Sequence, residues 1–72
     1  MTNVIGEYIR EKRAALHYSE ADISKLIGLS VNTIKMIEEG KSKLRLETAF
    51  TLSKALKFSL DDMAAQYLEA IK

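Results

Sequence analysis

The side chains able to do chemistry are few. His17 is the sole histidine and there is no cysteine, so Cys–His nucleophilic pairs and thiolate metal sites are excluded. The acids Glu38–Glu39 and Asp61–Asp62 are adjacent in sequence. Adjacent positions on a helix point to different sides, so neither pair makes a two-carboxylate site. His17 closes a helical stretch, where a surface or dipole role is expected. There is no HExxH and no Gly-rich phosphate loop. The expectation is a binding module, not an enzyme, with no metal and no cofactor. Charge then carries the signal. Lys35 to Lys57 holds six basic residues and three acids, a local +3, whereas the remainder holds five basic residues and seven acids. A basic bias confined to one segment suits contact with phosphates.

Those groups need elements to hold them. Glu20 to Glu39, EADISKLIGLSVNTIKMIEE, predicts two short helices joined by a tight turn at Gly28. Ile23, Leu26 and Ile27 form an apolar stripe at helical spacing, and Gly28 breaks the periodicity. Leu29 is the apolar residue of the turn, and Ser30 caps the next helix. That helix is predicted to bury Ile34 and Ile37 and to leave Val31, Asn32, Lys35 and Met36 outside. Two helices set at an angle by a Gly turn form a helix-turn-helix, whose second helix fits a DNA major groove.

The rest of the chain reads as scaffold. Asn3 or Thr2 caps a first helix running to about Leu16, with Ile5, Ile9 and Leu16 on one face. Arg13 falls on the same stripe and needs a partner, because an unpaired buried charge is strongly destabilising. Ser19 with Asp22 three residues on makes an acidic capping box. Gly40 stops the third helix as a left-handed cap. KSKLR, residues 41–45, is a basic loop. A fourth helix from about Leu46 to Leu56 buries Ala49, Leu52, Ala55 and Leu56, with Phe50 flanking that face. Ser59 caps a fifth helix with Asp62 at its third position, and Leu60, Met63, Tyr67 and Ile71 share one side of it. No strand pattern, linker or repeat appears. The expectation is one all-α domain of five helices over residues 1–72, with 64–72 a C-terminal helix extension.

Size and composition agree. Seventy-two residues lie near the lower limit for unaided folding, and 47% hydrophobic with 29% charged residues is a globular balance. No apolar run has the length of a signal peptide or a membrane span, so no membrane partner and a cytoplasmic location are expected.

IGEYIREKR, then SEADISKLIGLSVNTIKMIEEGK, then LETAFTLSKALKFSLDDM resemble the XRE-type helix-turn-helix family in order and spacing. That family includes the phage Cro and repressor DNA-binding domains. The resemblance spans residues 5 to 63 and implies a lambda-repressor-like fold with double-stranded DNA as partner. It also implies that Arg13 and Glu38 form a structural ion pair joining the first helix to the third. The third helix would then read bases. Asn32 suits bidentate bonding to adenine, Lys35 reaches a guanine or a phosphate, and Val31 and Met36 pack on thymine methyls. Ser30, Thr33, Lys41, Lys43 and Arg45 are the expected phosphate contacts. The chain departs from the family pattern at three places. Glu20 stands where Gln commonly donates to a phosphate, Ser24 replaces a usual Ala, and Leu44-Arg45 replaces a Pro-Ser that would cap the fourth helix.

Two functions follow from this reading. The preferred one is a sequence-specific transcriptional regulator, a repressor, that inserts its third helix into the major groove as a homodimer. Leu60, Met63, Tyr67, Leu68 and Ile71 are the candidate dimer residues. The alternative is an antitoxin or adaptor that binds a toxin or other protein partner on the same scaffold, with DNA binding secondary or lost. Glu20 and the exposed Met36 favour that alternative.

Overall fold

Helix starts in this chain are written in short polar side chains. In the computed structural model, which describes residues 3–71, four helices begin at a residue whose side chain accepts a backbone N–H from the first turn. Asn3 starts α1 (Val4–Ala15), Ser19 starts α2 (Glu20–Ile27), Ser30 starts α3 (Val31–Glu38) and Ser59 starts α5 (Leu60–Ala70). Thr2, the other candidate for the first cap, lies outside the described residues. The exception is α4 (Leu46–Leu56), where Arg45 occupies the cap position without a side-chain bond. Ser19 and Asp22 complete the capping box: Ser19 Oγ accepts from the Asp22 N–H at 3.0 Å, and the Asp22 carboxylate accepts from the Ser19 N–H at 2.9 Å.

Four of the five helix ends follow one device, a residue in the left-handed backbone; α5 instead ends at Ile71 with φ −95°. After α3, Gly40 takes a left-handed backbone (φ 75°). Its N–H bonds the Ile37 carbonyl and that of Lys41 bonds the Met36 carbonyl, the paired bonds of a Schellman motif. The cap residue proper is therefore Glu39, with Gly40 one position beyond it. His17 and Lys57 take the same left-handed backbone after α1 and α4 at φ 60° and 58°, although neither is glycine. Gly28, at φ 73°, makes the turn between α2 and α3. A Cβ there would meet nothing within 4 Å, so backbone conformation alone calls for glycine. Gly6 answers a different need. A Cβ at Gly6 would run into the Glu38 carbonyl, which is how closely α1 approaches the end of α3.

Ile9, Ile23, Ile34, Ile37, Leu52 and Leu56 form the buried core, drawn from α1, α2, α3 and α4. Ile5, Leu16, Tyr18, Ile27, Leu29, Leu44 and Phe58 pack around it. Helix α2 packs on α3 and α4, while α1 packs on α3, α4 and α5. No residue of α5 is fully buried. Among the described residues there is no strand, and the domain is the all-α, five-helix arrangement expected.

Two core expectations are corrected. Leu26 is 57% exposed, because the inner side of α2 is taken by Ile23 and Ile27 and Leu26 faces the open groove beside α4. Phe50, expected to flank the buried side of α4, is 52% exposed there. Ala55 is half-buried, unlike Ala49, Leu52 and Leu56.

Candidate nucleic-acid interface

Helix α3 is held from its C-terminal end. Arg13 donates to Glu38 through Nε at 2.7 Å and through its second terminal nitrogen at 2.9 Å, a bidentate pair. Its remaining terminal nitrogen donates to the Tyr18 carbonyl at 2.9 Å. The Glu38 side chain is 2% exposed and that of Arg13 16%. Arg10, half in solvent, brings its Nε to 3.5 Å from the same carboxylate. The hydrogen bond from Arg13 to Glu38 raises the guanidinium above its ordinary value; burial opposes this, and the charges of Glu38 and Glu20 add to it. Asn3 completes the fastening. Its Nδ2 donates to the Glu38 carbonyl at 2.6 Å while its Oδ1 accepts the Gly6 N–H.

With Ile34, Ile37 and Glu38 turned inward, helical geometry sends Val31, Asn32, Lys35 and Met36 outward, and all four are exposed. Asn32 Nδ2 lies 3.8 Å from the Met36 sulfur, one turn on, so these two side chains share one face. Ser30 caps the helix by accepting the Thr33 N–H at 3.1 Å, and its hydroxyl is 2.8 Å from that of Thr33. Ser30 is exposed and Thr33 half-buried. Past α3, Lys43 and Arg45 are exposed and make no ion pair with any described residue, while Lys41 lies 3.6 Å from Glu39.

Glu20 is half-buried at the start of α2. It lines a shallow depression together with Arg10, Arg13, Lys35, Glu38 and Glu39. Three cations face three carboxylates there, so the cluster is neutral as a whole. Outside this cluster the exposed cations among the described residues are Lys41, Lys43 and Arg45 after α3, and Lys25, Lys54 and Lys57 on or beside α2 and α4.

The sequence model of the helix-turn-helix family matches residues 9–63, most of the chain. The chain belongs to the XRE-type helix-turn-helix family. A protein of Rhodospirillum rubrum, described as an uncharacterized transcriptional regulator in the ATPase CF(0) region, is similar to it. The two are 26% identical over 57 residues, which is 79% of this chain and 53% of that protein. The chain thus spans about half the length of this relative. No solved structure matches the chain. Members of this family are DNA-binding regulatory proteins, and in this member α2 and α3 are the two helices of the motif.

Two fastenings of the helix-turn-helix domain start from residues that precede the matched segment, Asn3 and Tyr8, and were missed by sequence reasoning. One is the reach of Asn3 across to Glu38, 35 residues away. The other is Tyr8, whose hydroxyl donates to the Asp62 carboxylate at 2.5 Å and whose ring meets Phe58 edge-on at 5.2 Å. Burial, then the bond and charge of Asp62, raise the Tyr8 phenol well above its ordinary value. Asp62 thus turns toward α1 in place of closing a capping box on Ser59. A tyrosine on the apolar side of α1 is the one signal that a polar partner was needed. Of the candidate dimer residues, Leu60 and Met63 are half-buried, whereas Tyr67, Leu68 and Ile71 are exposed on α5. Among the described residues no helix is long and apolar enough to cross a membrane.

Proposed function

We propose that this chain is a sequence-specific DNA-binding transcriptional regulator that lays α3 in the major groove as a homodimer. The observation that carries the reading is the split of α3. One side is locked inward by Ile34, Ile37 and the Arg13–Glu38 pair, and the other presents Val31, Asn32, Lys35 and Met36. Asn32 offers an acceptor and donors in one plane, the pattern that adenine presents in the major groove. Lys35 adds a donor for guanine or a phosphate, and Val31 and Met36 add apolar contact for thymine methyls. Ser30, Thr33, Lys41, Lys43 and Arg45 flank this face and set register on the phosphates. One short helix reads few bases, so two copies on half-sites about one helical turn apart supply the rest of the specificity. Where its site overlaps that of polymerase, a domain seated in the groove denies that DNA to polymerase, and the regulator acts as a repressor. The R. rubrum relative, a transcriptional regulator by description, supports the same class.

The test is fluorescence anisotropy with intergenic DNA that carries an inverted repeat. Asn32→Ala should weaken specific binding by about 1–3 kcal/mol and relax preference at one base pair. Lys43→Ala should weaken all sequences alike and reduce the salt slope by about 1. Absence of any affinity at low salt would overturn the reading. It would favour the protein-interaction role, an antitoxin or adaptor, for which Glu20 in the neutral depression and the exposed Met36 are the supporting observations.

A further inference from the structure

Ser24 holds the turn of the motif at two points. Its carbonyl accepts the Gly28 N–H at 3.0 Å, which ends α2. Its hydroxyl donates to the Leu29 carbonyl, five residues on. That carbonyl belongs to the Leu29–Ser30 peptide, the last one before the cap of α3. Among the described residues nothing else donates to the Leu29 carbonyl and nothing accepts the Ser30 N–H. The Leu29 side chain packs at the edge of the core, but apolar contact is not directional. The peptide is planar and trans, so the bond from Ser24 fixes the orientation of both its polar groups.

We propose that Ser24 is a positioning residue for base reading, which sets through the Leu29 carbonyl where α3 leaves the turn. The role rests on the DNA reading above. Asn32 lies three residues beyond Leu29, in the first turn of α3 and at the end far from the Arg13–Glu38 pair. A rotation of the Leu29–Ser30 peptide swings the Ser30 cap and carries Val31 and Asn32 with it. A bidentate contact to a base edge needs its groups held within about 0.5 Å. Lys35 and Met36, nearer the anchored end, move less. Ser24 is half-buried and acts through the turn without touching DNA itself. Replacing it by Ala removes the hydroxyl but raises helix propensity, and the two effects nearly cancel in stability. Base reading has no such compensation.

Fluorescence anisotropy on the full chain compares DNA carrying the inverted repeat with DNA lacking it, beside urea unfolding of the same variants. Ser24→Ala should lower specific affinity about tenfold, within what one bidentate base contact is worth. Non-specific affinity and salt slope should stay as in wild type, since no charge changes. Ser24→Thr should keep the wild-type ratio of specific to non-specific affinity and Ser24→Val should lose it about tenfold, although the two replacements have the same shape. In the free protein, the Thr33 and Ile34 amides, which bond Ser30, should exchange hydrogen about fivefold faster in Ser24→Ala. An unchanged ratio in Ser24→Ala, or equal ratios for Thr and Val, overturns the role and leaves the DNA reading standing. A loss that falls alike on both DNAs together with the urea midpoint does the same, because Ser24 is then merely structural. Unchanged exchange at Thr33 and Ile34 removes the clamp whatever the DNA result. A wild-type chain with no affinity for any DNA at low salt overturns the DNA reading and this role with it.

Discussion

Removing the Glu38 carboxylate should cost this domain more than any other change to a charged residue. In Glu38→Ala, Arg13 loses both of its carboxylate bonds, at 2.7 and 2.9 Å, and keeps only the Tyr18 carbonyl. The guanidinium stays mostly out of water, as its side chain is only 16% exposed. Breaking a buried pair from one side costs roughly 3–5 kcal/mol. A domain of 72 residues has roughly 4–11 kcal/mol of stability in all. Thermal melting should therefore fall by on the order of 20 °C. The reverse truncation, Arg13→Ala, should cost clearly less, because Arg10 already lies 3.5 Å from Glu38 and can move in as a second cation. Arg10→Ala alone should stay under about 1 kcal/mol, as that side chain is half in solvent.

The decisive variant is the double replacement Arg13→Met with Glu38→Leu. It fills the space with apolar volume and leaves no charge behind, so its stability should return to within about 1 kcal/mol of the wild type or exceed it. Urea unfolding followed by circular dichroism measures all four proteins on one scale. If the double replacement is as unstable as Glu38→Ala, lost packing and not an orphaned charge is the cause. If Glu38→Ala costs under about 1 kcal/mol, the pair is not an anchor at all.

Three further predictions concern separate parts of the domain. Glu20→Gln removes one carboxylate from a neutral cluster beside α3 and adds a donor, so DNA affinity should rise about fivefold and the salt slope steepen by about 1; unchanged affinity would mean that Glu20 does not face a phosphate. Lys57→Gly relieves a left-handed backbone at φ 58° that L side chains disfavour by roughly 1–2 kcal/mol. Glycine's own chain entropy offsets part of that, so a gain of about 0.5–1 kcal/mol is expected in urea unfolding. The Tyr8 phenol is held above its unfolded value, so the folded state keeps its proton after the unfolded chain has lost it. That contribution is fully present below about pH 10 and is lost as pH rises from there toward the folded value. Unfolding curves between neutral and alkaline pH should show a shallower decline for Tyr8→Phe than for wild type.

What could be read from the sequence was whatever repeats locally. Ile34 and Ile37 on one side of α3, and Asn32 and Lys35 on the other, follow from helical period alone. Ser19, Ser30 and Ser59 follow from cap chemistry within three residues. Arg13 was legible as a demand, since a cation on an apolar stripe must be met, although its partner came from resemblance and not from spacing. Leu26 was misassigned because Ile23, Leu26 and Ile27 span a wide arc, and only the position of α4 decides which of them is covered. The bonds of Asn3 to Glu38 and of Tyr8 to Asp62 join residues 35 and 54 apart. No periodicity encodes a pairing at that distance; it exists only once α1 lies across α3 and α5.

These long bonds explain how so small a domain can present a defined face. Among the described residues, every side-chain polar bond to α3 from another helix or its cap meets Glu38: Asn3 at its carbonyl, Arg13 and Arg10 at its carboxylate. The Schellman bonds from Gly40 and Lys41 close the same end. The other end is held by its own cap, Ser30, and by the apolar contacts of Ile34 in mid-helix. The polar anchor from α1 thus sits at the C-terminal end of α3, with α2 packed along its apolar side, while Val31 and Asn32 stand at the end far from that anchor. None of the four outward residues contributes to the core or to the anchor. Their side chains can change without disturbing what aims the helix, which separates the choice of binding partner from the stability of the fold.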